Sequence, residues 1–204
     1  MKIIAHRGND QINKENSKEA ILNSLNKKYI DGVEFDIRKT KDNQFIINHD
    51  PFYHEYFIKN TNSKKLKELG LNTLNEILAK IKSDKIILIE IKEDSPNIKK
   101  TAKYLYREIE KSKANIYLCS FNYRFINHFH KKYKKIKCGV IIGQNINRKH
   151  INNNLNFNSI SYKYKGKIPD KETFRWTINN PKKIKDKNEN IITDKAKEIY
   201  EYLK

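Results

Sequence analysis

The segment Gly32-Val33-Glu34-Phe35-Asp36-Ile37 decides the fold, because it is an apolar, β-branched run that carries carboxylates at alternate positions. Side chains in a strand alternate between two faces, so Glu34 and Asp36 share one face while the apolar residues share the other. An apolar face packs against helices, which leaves the two carboxylates facing an interior. This pattern is typical of a barrel with its site at one end of the strands.

Three further runs end on residues that can bind a metal, move a proton or hold an anion. They are Ile3–Gly8, with His6 and Arg7; Ile46–Asp50, with His49; and Ile87–Lys92, with Glu90 and Lys92. Buried carboxylates are too costly to leave unpaired. A divalent cation is the simplest partner for Glu34, Asp36 and Glu90 together.

Length and composition fit one domain spanning residues 1–204. The formal charge of +19 raises the question of whether the protein binds nucleic acid. The lysines are spread along the chain and not gathered in one arm, so we expect no specific nucleic-acid partner. A positive field favours a small anionic substrate.

Cys119 and Cys138 lie apart in apolar strand contexts without CxxC spacing, which predicts buried thiols in a reducing compartment. The N-terminus lacks the apolar region of a signal peptide, and no stretch approaches transmembrane length. We therefore expect a cytoplasmic protein.

Strand-like runs alternate with helix-like runs, which predicts a compact (β/α)8 TIM barrel of the α/β class. Strands are predicted at 2–5, 32–37, 44–48, 85–91, 115–119, 137–142, 157–162, 174–178 and 190–193, and helices at 17–29, 73–82, 97–112, 122–134 and 195–203. A small insertion, 51–72, follows the third strand; it is irregular and aromatic-rich, and Tyr53, Tyr56 and Phe57 would form either an apolar lip for the substrate or buried anchors of the loop. The stretch 143–156 is polar with a weak helical signal, and 163–172 lacks a barrel helix, so a unit of the second half is trimmed.

Six short motifs occur in a fixed order, each at a predicted strand end. They are His6-Arg7-Gly8 with Glu15-Asn16, the stretch 32–36, Thr40-Lys41-Asp42 with His49-Asp50, Ile89–Lys92, Trp176–Asn179 and Ile192–Asp194. In this series the chain resembles the glycerophosphodiester phosphodiesterase family, a branch of the phospholipase C-like phosphodiesterases. The resemblance runs from His6 to Asp194.

The resemblance implies a role for each matching residue. Glu34, Asp36 and Glu90 would bind one divalent cation, Mg²⁺ or Ca²⁺. His6 and His49 would be the acid–base pair, and Arg7 and Lys92 would contact the substrate phosphate. Further candidates for substrate contact or for support of the site are Glu15, Asn16, Asp50, Ser120 and Trp176.

The expected activity is metal-dependent hydrolysis of a glycerophosphodiester to an alcohol and glycerol phosphate. Attack by water and attack by a neighbouring glycerol hydroxyl through a cyclic phosphate both remain open. One alternative is a related phosphodiesterase acting on a lysophospholipid or on a glycerol-phosphate-containing glycan or polymer. Another is a non-catalytic barrel that binds a phosphate ligand. Taken singly, each carboxylate could form a solvated strand face or an ion pair, and each histidine could be a hydrogen-bonded core residue.

Overall fold

The computed structural model describes residues 1–9, 11–92, 96–143, 154–167 and 170–204. The stretch 144–153, most of the Asn-rich segment with its weak helical signal, lies outside the described residues. Within the described part the strands are β1 (Ile3–Ala5), β2 (Gly32–Lys39), β3 (Phe45–Ile47), β4 (Phe52–Tyr53), β5 (Tyr56–Phe57), β6 (Ile86–Ile91), β7 (Asn115–Ser120), β8 (Lys137–Ile142), β9 (Phe157–Ser161), β10 (Glu172–Trp176) and β11 (Asn190–Thr193). The α-helices there are α1 (Lys18–Leu25), α2 (Ser63–Glu68), α3 (Leu74–Leu78), α4 (Ile98–Ile109), α5 (Tyr123–Lys132) and α6 (Ala196–Leu203).

Eight parallel strands among the described residues form a closed barrel, which confirms the predicted TIM-barrel fold. The strands follow the order β1-β2-β6-β7-β8-β9-β10-β11, and β1 pairs with both β2 and β11 to close the ring. Strand β3 runs antiparallel to the end of β2 and lies outside this ring. A tight turn joins the two, with Asn43 at a φ of 64°.

Two apolar layers hold the barrel together. The outer layer packs strand residues such as Val33 and Phe35 against the helices. The inner layer fills the barrel, and its buried members are Ile4, Ile86, Leu88, Tyr117, Cys119, Ile141, Phe157, Phe174 and Ile192. Gly139 makes room inside, because a Cβ there would lie 2.3 Å from the Phe157 ring.

Local signals set several helix boundaries. Ser17 caps α1 by accepting a hydrogen bond from the Ala20 amide. Helix α1 ends at Leu25, before the predicted residue 29, and the Lys85 ammonium donates to the Leu25 carbonyl over 2.9 Å. Thr73 and Glu76 form a capping box at the start of α3, which ends at Leu78, before the predicted residue 82.

The insertion is more regular than the sequence predicts. It contains the β4–β5 hairpin and α2, and its own buried cluster includes Ile58 and Leu66. Tyr53 and Tyr56 pack against that cluster and anchor the insertion, whereas Phe52 is exposed.

The second half contains the trimmed unit. Between β9 and β10 the described residues contain no helix. Tyr164, which precedes β10, and Ile184, which follows it, pack on the outer layer.

Cys119 and Cys138 are free and buried. In the described part of the chain, no helix combines the length and the apolarity needed to cross a bilayer.

Candidate active site

The carboxyl ends of the barrel strands surround a cavity of about 230 Å³. Its polar wall comes from β2, β6 and the segments after β1, β3 and β6. The lining residues are His6, Arg7, Glu34, Asp36, His49, Leu88, Glu90, Lys92, Cys119, Phe121, Ile141, Ser159, Trp176, Thr177 and Ile192. All seven residues predicted to bind metal, to bind phosphate or to transfer protons are therefore in one cavity.

Three carboxylates converge in this cavity. Asp36 on β2 lies directly opposite Glu90 on β6, and Glu34 is two residues earlier on the same face of β2. One oxygen from each residue lies within 4.8 Å of the others. Glu34 and Asp36 are 4% and 1% exposed, so these charges have little water to screen them.

Burial and repulsion from neighbouring carboxylates oppose ionisation of Glu34 and Glu90. Burial, followed by the charge of Asp36, raises the pKa of Glu34 to about 8. Burial also raises the pKa of Glu90, against the opposing charge of Lys92. The cluster therefore suits a hard cation that would bind the charged form of each carboxylate.

Lys92 and Arg7 supply cations from within the chain. The Lys92 ammonium lies 3.0 Å from Asp36 Oδ1 and forms a second ion pair with Glu90. Arg7 Nε lies 3.4 Å from Asp36 Oδ2, and Arg7 Nη1 lies 2.6 Å from Glu15 Oε1. Burial lowers the pKa of Lys92, but the charges of Glu90 and Asp36 outweigh it and raise that pKa.

The turn after β1 brings a backbone amide as well as side chains to the site. Arg7 and Gly8 have φ values of 53° and 65°, and the Arg7 amide donates to Glu34 Oε2 over 2.8 Å. A Cβ on Gly8 would lie 2.8 Å from the Ile21 backbone, so glycine is required. Asn16 holds Asp36 from both sides: its Oδ1 accepts from the Asp36 amide, and its Nδ2 donates to Asp36 Oδ2.

Each histidine of the cavity lies beside a carboxylate. His6 Nδ1 lies 2.7 Å from Asp194 Oδ1, and His6 Nε2 lies 4.0 Å from Glu34 Oε2. Burial lowers the pKa of His6, but the hydrogen bond to Asp194 and the charge of Glu34 outweigh it and raise that pKa. His49 Nδ1 lies 2.7 Å from Asp50 Oδ1, and Arg38 Nε donates to the His49 carbonyl.

The opposite wall of the cavity is mostly apolar. Phe121 and Trp176 meet edge to face with ring centroids 6.0 Å apart, and Phe121 is 50% exposed. Ser120, a candidate substrate contact, is buried and donates to the Ile91 carbonyl. Glu15 and Asp50 pair with Arg7 and His49, and Asn16 holds Asp36, so these three support the residues that line the cavity.

Asp194 and Asn179 were not predicted as site residues. Asn179 Nδ2 donates to Asp194 Oδ2 over 2.6 Å, which links this pair to His6. The only sequence signal was their position in the last two motifs, Trp176–Asn179 and Ile192–Asp194.

Fold and cavity together define a barrel enzyme with its site at the carboxyl ends of the strands. The chain belongs to the glycerophosphoryl diester phosphodiesterase family, whose profile matches residues 6–163. It is thus a hydrolase that acts on phosphodiesters, as the motif resemblance predicts.

Solved structures share the whole fold. A glycerophosphodiester phosphodiesterase from Parabacteroides distasonis superposes with a TM-score of 0.85 at 22% identity, covering 99% of this chain and 96% of that chain. A phosphodiesterase from Oleispira antarctica, solved in complex with the product sn-glycerol-3-phosphate, gives a TM-score of 0.81 at 16% identity, with coverage of 100% and 96%. An uncharacterised protein from Mycoplasma genitalium is 28% identical in an alignment 162 positions long, which covers 69% of this chain and 68% of that protein.

Proposed function

We propose that this protein hydrolyses a glycerophosphodiester to an alcohol and glycerol phosphate, with a divalent cation held by Glu34, Asp36 and Glu90. The observation that carries the proposal is the convergence of three carboxylates, two cations and two histidines on one cavity. A barrel that served only to bind a phosphate ligand would have no need for both histidines and all three carboxylates.

The donor set fits Mg²⁺ or Ca²⁺. All three side chains offer oxygen, the donor that both ions prefer, and once ionised they would bring three negative charges against the two positive charges of Lys92 and Arg7. When bound, the ion would neutralise phosphate charge and lower the pKa of a hydroxyl or water at the site.

Arg7 and Lys92 would hold the phosphate. Arg7 offers a planar set of donors that matches phosphate oxygens, and Lys92 offers a compact positive charge. Both already lie beside the carboxylates, so a phosphate bound by them would sit against the proposed metal site.

His6 and His49 would divide the proton transfers. Because Nδ1 of each ring faces a carboxylate, Nε2 of each ring is left to exchange a proton with the substrate. One histidine would accept the proton of the attacking hydroxyl, and the other would donate a proton to the leaving oxygen. The attacking hydroxyl belongs to water or to the neighbouring glycerol hydroxyl, and these routes differ in whether a cyclic phosphate forms.

A lysophospholipid is the second candidate substrate. The half-exposed Phe121 ring and Trp176 give the cavity an apolar wall, which suits an alcohol that carries an acyl chain.

We place the enzyme in the cytoplasm, because both cysteines are buried free thiols.

A hydrolysis screen tests the proposal. Glycerophosphodiesters with different alcohols, a lysophospholipid and a glycerol-phosphate polymer are each assayed after chelation and after addition of Mg²⁺ or Ca²⁺. We expect metal-dependent release of glycerol phosphate from at least one glycerophosphodiester. We also expect its loss in Glu34→Gln and its retention in Glu198→Gln, which removes an exposed carboxylate on α6. Hydrolysis at the same rate with and without chelator, or no hydrolysis of any diester, would overturn the proposal.

A further inference from the structure

We propose that Asp194 and Asn179 are positioning residues that fix the tautomer and orientation of His6. Asp194 would hold the proton of the neutral imidazole on Nδ1, and Asn179 would hold Asp194. The part of this inference that concerns turnover rests on the proposed function, whereas the part that concerns the imidazole does not.

The hydrogen-bond network leaves Asp194 one orientation. Asp194 Oδ1 lies 2.7 Å from His6 Nδ1, and Asp194 Oδ2 accepts from Asn179 Nδ2 over 2.6 Å. The Asn179 amide is itself fixed, because its Oδ1 accepts from the Asp194 amide over 2.9 Å and from the Thr193 hydroxyl over 3.1 Å. Both Asp194 oxygens are therefore engaged, and Asn179 can present only its NH₂ group to them.

Barrel closure builds this network. In the register of β1 against β11, Ala5 pairs with Thr193, so the next residues, His6 and Asp194, meet at the same level. The Ile178 amide donates to the Ile192 carbonyl, which brings the segment after β10 alongside β11 and delivers Asn179. Three neighbouring strand ends thus meet behind the imidazole.

The geometry sets the tautomer. A carboxylate can only accept, so the neutral imidazole must carry its proton on Nδ1 to form this hydrogen bond. Nε2 then keeps its lone pair and faces the cavity, 4.0 Å from Glu34 Oε2. His49 has a similar partner in Asp50, but the two side chains there are 40% and 75% exposed, against 22% and 31% for His6 and Asp194. The His6 pair is thus the more shielded from water.

Substitution of Asp194 by Asn should reverse the tautomer. The NH₂ groups of the new amide and of Asn179 cannot face each other, because both are donors. The new amide would therefore turn its oxygen toward Asn179 Nδ2 and its NH₂ toward His6 Nδ1. His6 Nδ1 would then have to accept, which moves the imidazole proton to Nε2. The combined change Asp194→Asn with Asn179→Asp reverses both amides and should return the proton to Nδ1.

Nitrogen-15 NMR of histidine-labelled protein measures the tautomer directly, at a pH where the ring is neutral, with His6 assigned by loss of its signals in His6→Gln. We expect Nδ1–H in the wild-type protein, Nε2–H in Asp194→Asn, and Nδ1–H again in the combined variant. Glu172→Gln is the control, because it removes a carboxylate that bonds to Lys2 and Asn190 and does not line the cavity. Nε2–H in the wild-type protein, or an unchanged tautomer in Asp194→Asn, overturns the proposal.

Steady-state kinetics measure the consequence. We expect Asp194→Asn to lower kcat by roughly 10²-fold or more with KM changed less than about threefold, because the wrong tautomer blocks proton transfer but not binding. The combined variant should recover part of kcat. An unchanged kcat in Asp194→Asn overturns the positioning role. If no diester is hydrolysed by the wild-type protein, the proposed function fails and the NMR result alone decides the tautomer.

Discussion

The Lys92 ammonium lies 3.0 Å from Asp36 Oδ1, so a cation of the chain itself sits against a carboxylate of the proposed metal site. It also forms an ion pair with Glu90, and its side chain is 14% exposed. In the metal-free protein Lys92 thus offsets part of the repulsion among three buried carboxylates. A divalent cation would compete with it for the same oxygens.

Lys92→Met should destabilise the metal-free protein and increase its response to metal. Breaking a buried ion pair costs about 3–5 kcal/mol, because Glu90 and Asp36 stay largely buried after losing the cation that offsets their charge. Bound Mg²⁺ or Ca²⁺ would again offset the negative charge of these carboxylates. We therefore expect a larger rise in Tm on metal addition for Lys92→Met than for the wild-type protein, measured by calorimetry with and without chelator.

The control for this experiment is Lys197→Met, which removes a lysine from an exposed pair with Glu201. Exposed pairs contribute little to stability, so neither its metal-free Tm nor its metal response should change. A metal response in Lys92→Met no greater than in the control would show that Lys92 and the metal do not share the carboxylates.

The two histidines should both be required for turnover, in different roles. His6→Ala and His49→Ala should each lower kcat by about 10²–10⁴-fold while the Tm stays nearly unchanged. A diester with a highly activated leaving group should partly rescue the variant that lost the general acid. The measurement is kcat against leaving-group pKa for both variants.

His54→Ala is the matched control, because His54 is exposed on the insertion. It should retain wild-type kcat with every substrate. If neither His6→Ala nor His49→Ala responds to the leaving-group pKa, the acid–base assignment fails.

The sequence predicts the acidic half of the site because it depends on local alternation. Glu34 and Asp36 share a face of one strand by their spacing alone, and Glu90 follows the same rule on β6. The link between His6 and Asp194 could not be derived in this way. These residues are 188 positions apart, and their contact depends on the register in which β1 closes the barrel against β11.

The aromatic insertion illustrates a second limit. An aromatic-rich loop predicts either a substrate lip or buried anchors, and composition does not separate the two. Tyr53 and Tyr56 pack on Ile58 and Leu66, whereas Phe52 remains 54% exposed. The difference comes from the β4–β5 hairpin, whose register decides which rings face the insertion's own core.

Glu108 should make stability fall as pH rises. It lies on α4, where its carboxylate oxygens are buried without a hydrogen-bond partner of good geometry. Burial raises its pKa from 4.5 to about 7, against a smaller lowering by the Phe45 amide. Between these values the folded protein holds a proton that the unfolded chain has released, so the free energy of unfolding decreases with pH.

Glu108→Gln removes this titration and keeps the shape of the side chain. Relative to the wild-type protein, we expect little change near pH 4 and a gain on the order of 1–3 kcal/mol at pH 8. Urea unfolding at a series of pH values measures the difference. Glu110→Gln, two residues along at an exposed position, should show no such trend. A gain that does not depend on pH would contradict the assignment.

The charge of +19 should attract small anions without making this a nucleic-acid-binding protein. Binding to duplex or single-stranded nucleic acid should be weak, independent of sequence and steeply lost with salt, because it would rest on phosphate contacts alone. Hydrolysis of a small diester should fall only modestly over the same salt range, since Arg7 and Lys92 act at short range inside the cavity. Fluorescence anisotropy with labelled oligonucleotides, run beside the hydrolysis assay at matched ionic strength, compares the two. Tight, sequence-selective binding at physiological salt would contradict this view, and it would assign the charge to recognition of nucleic acid.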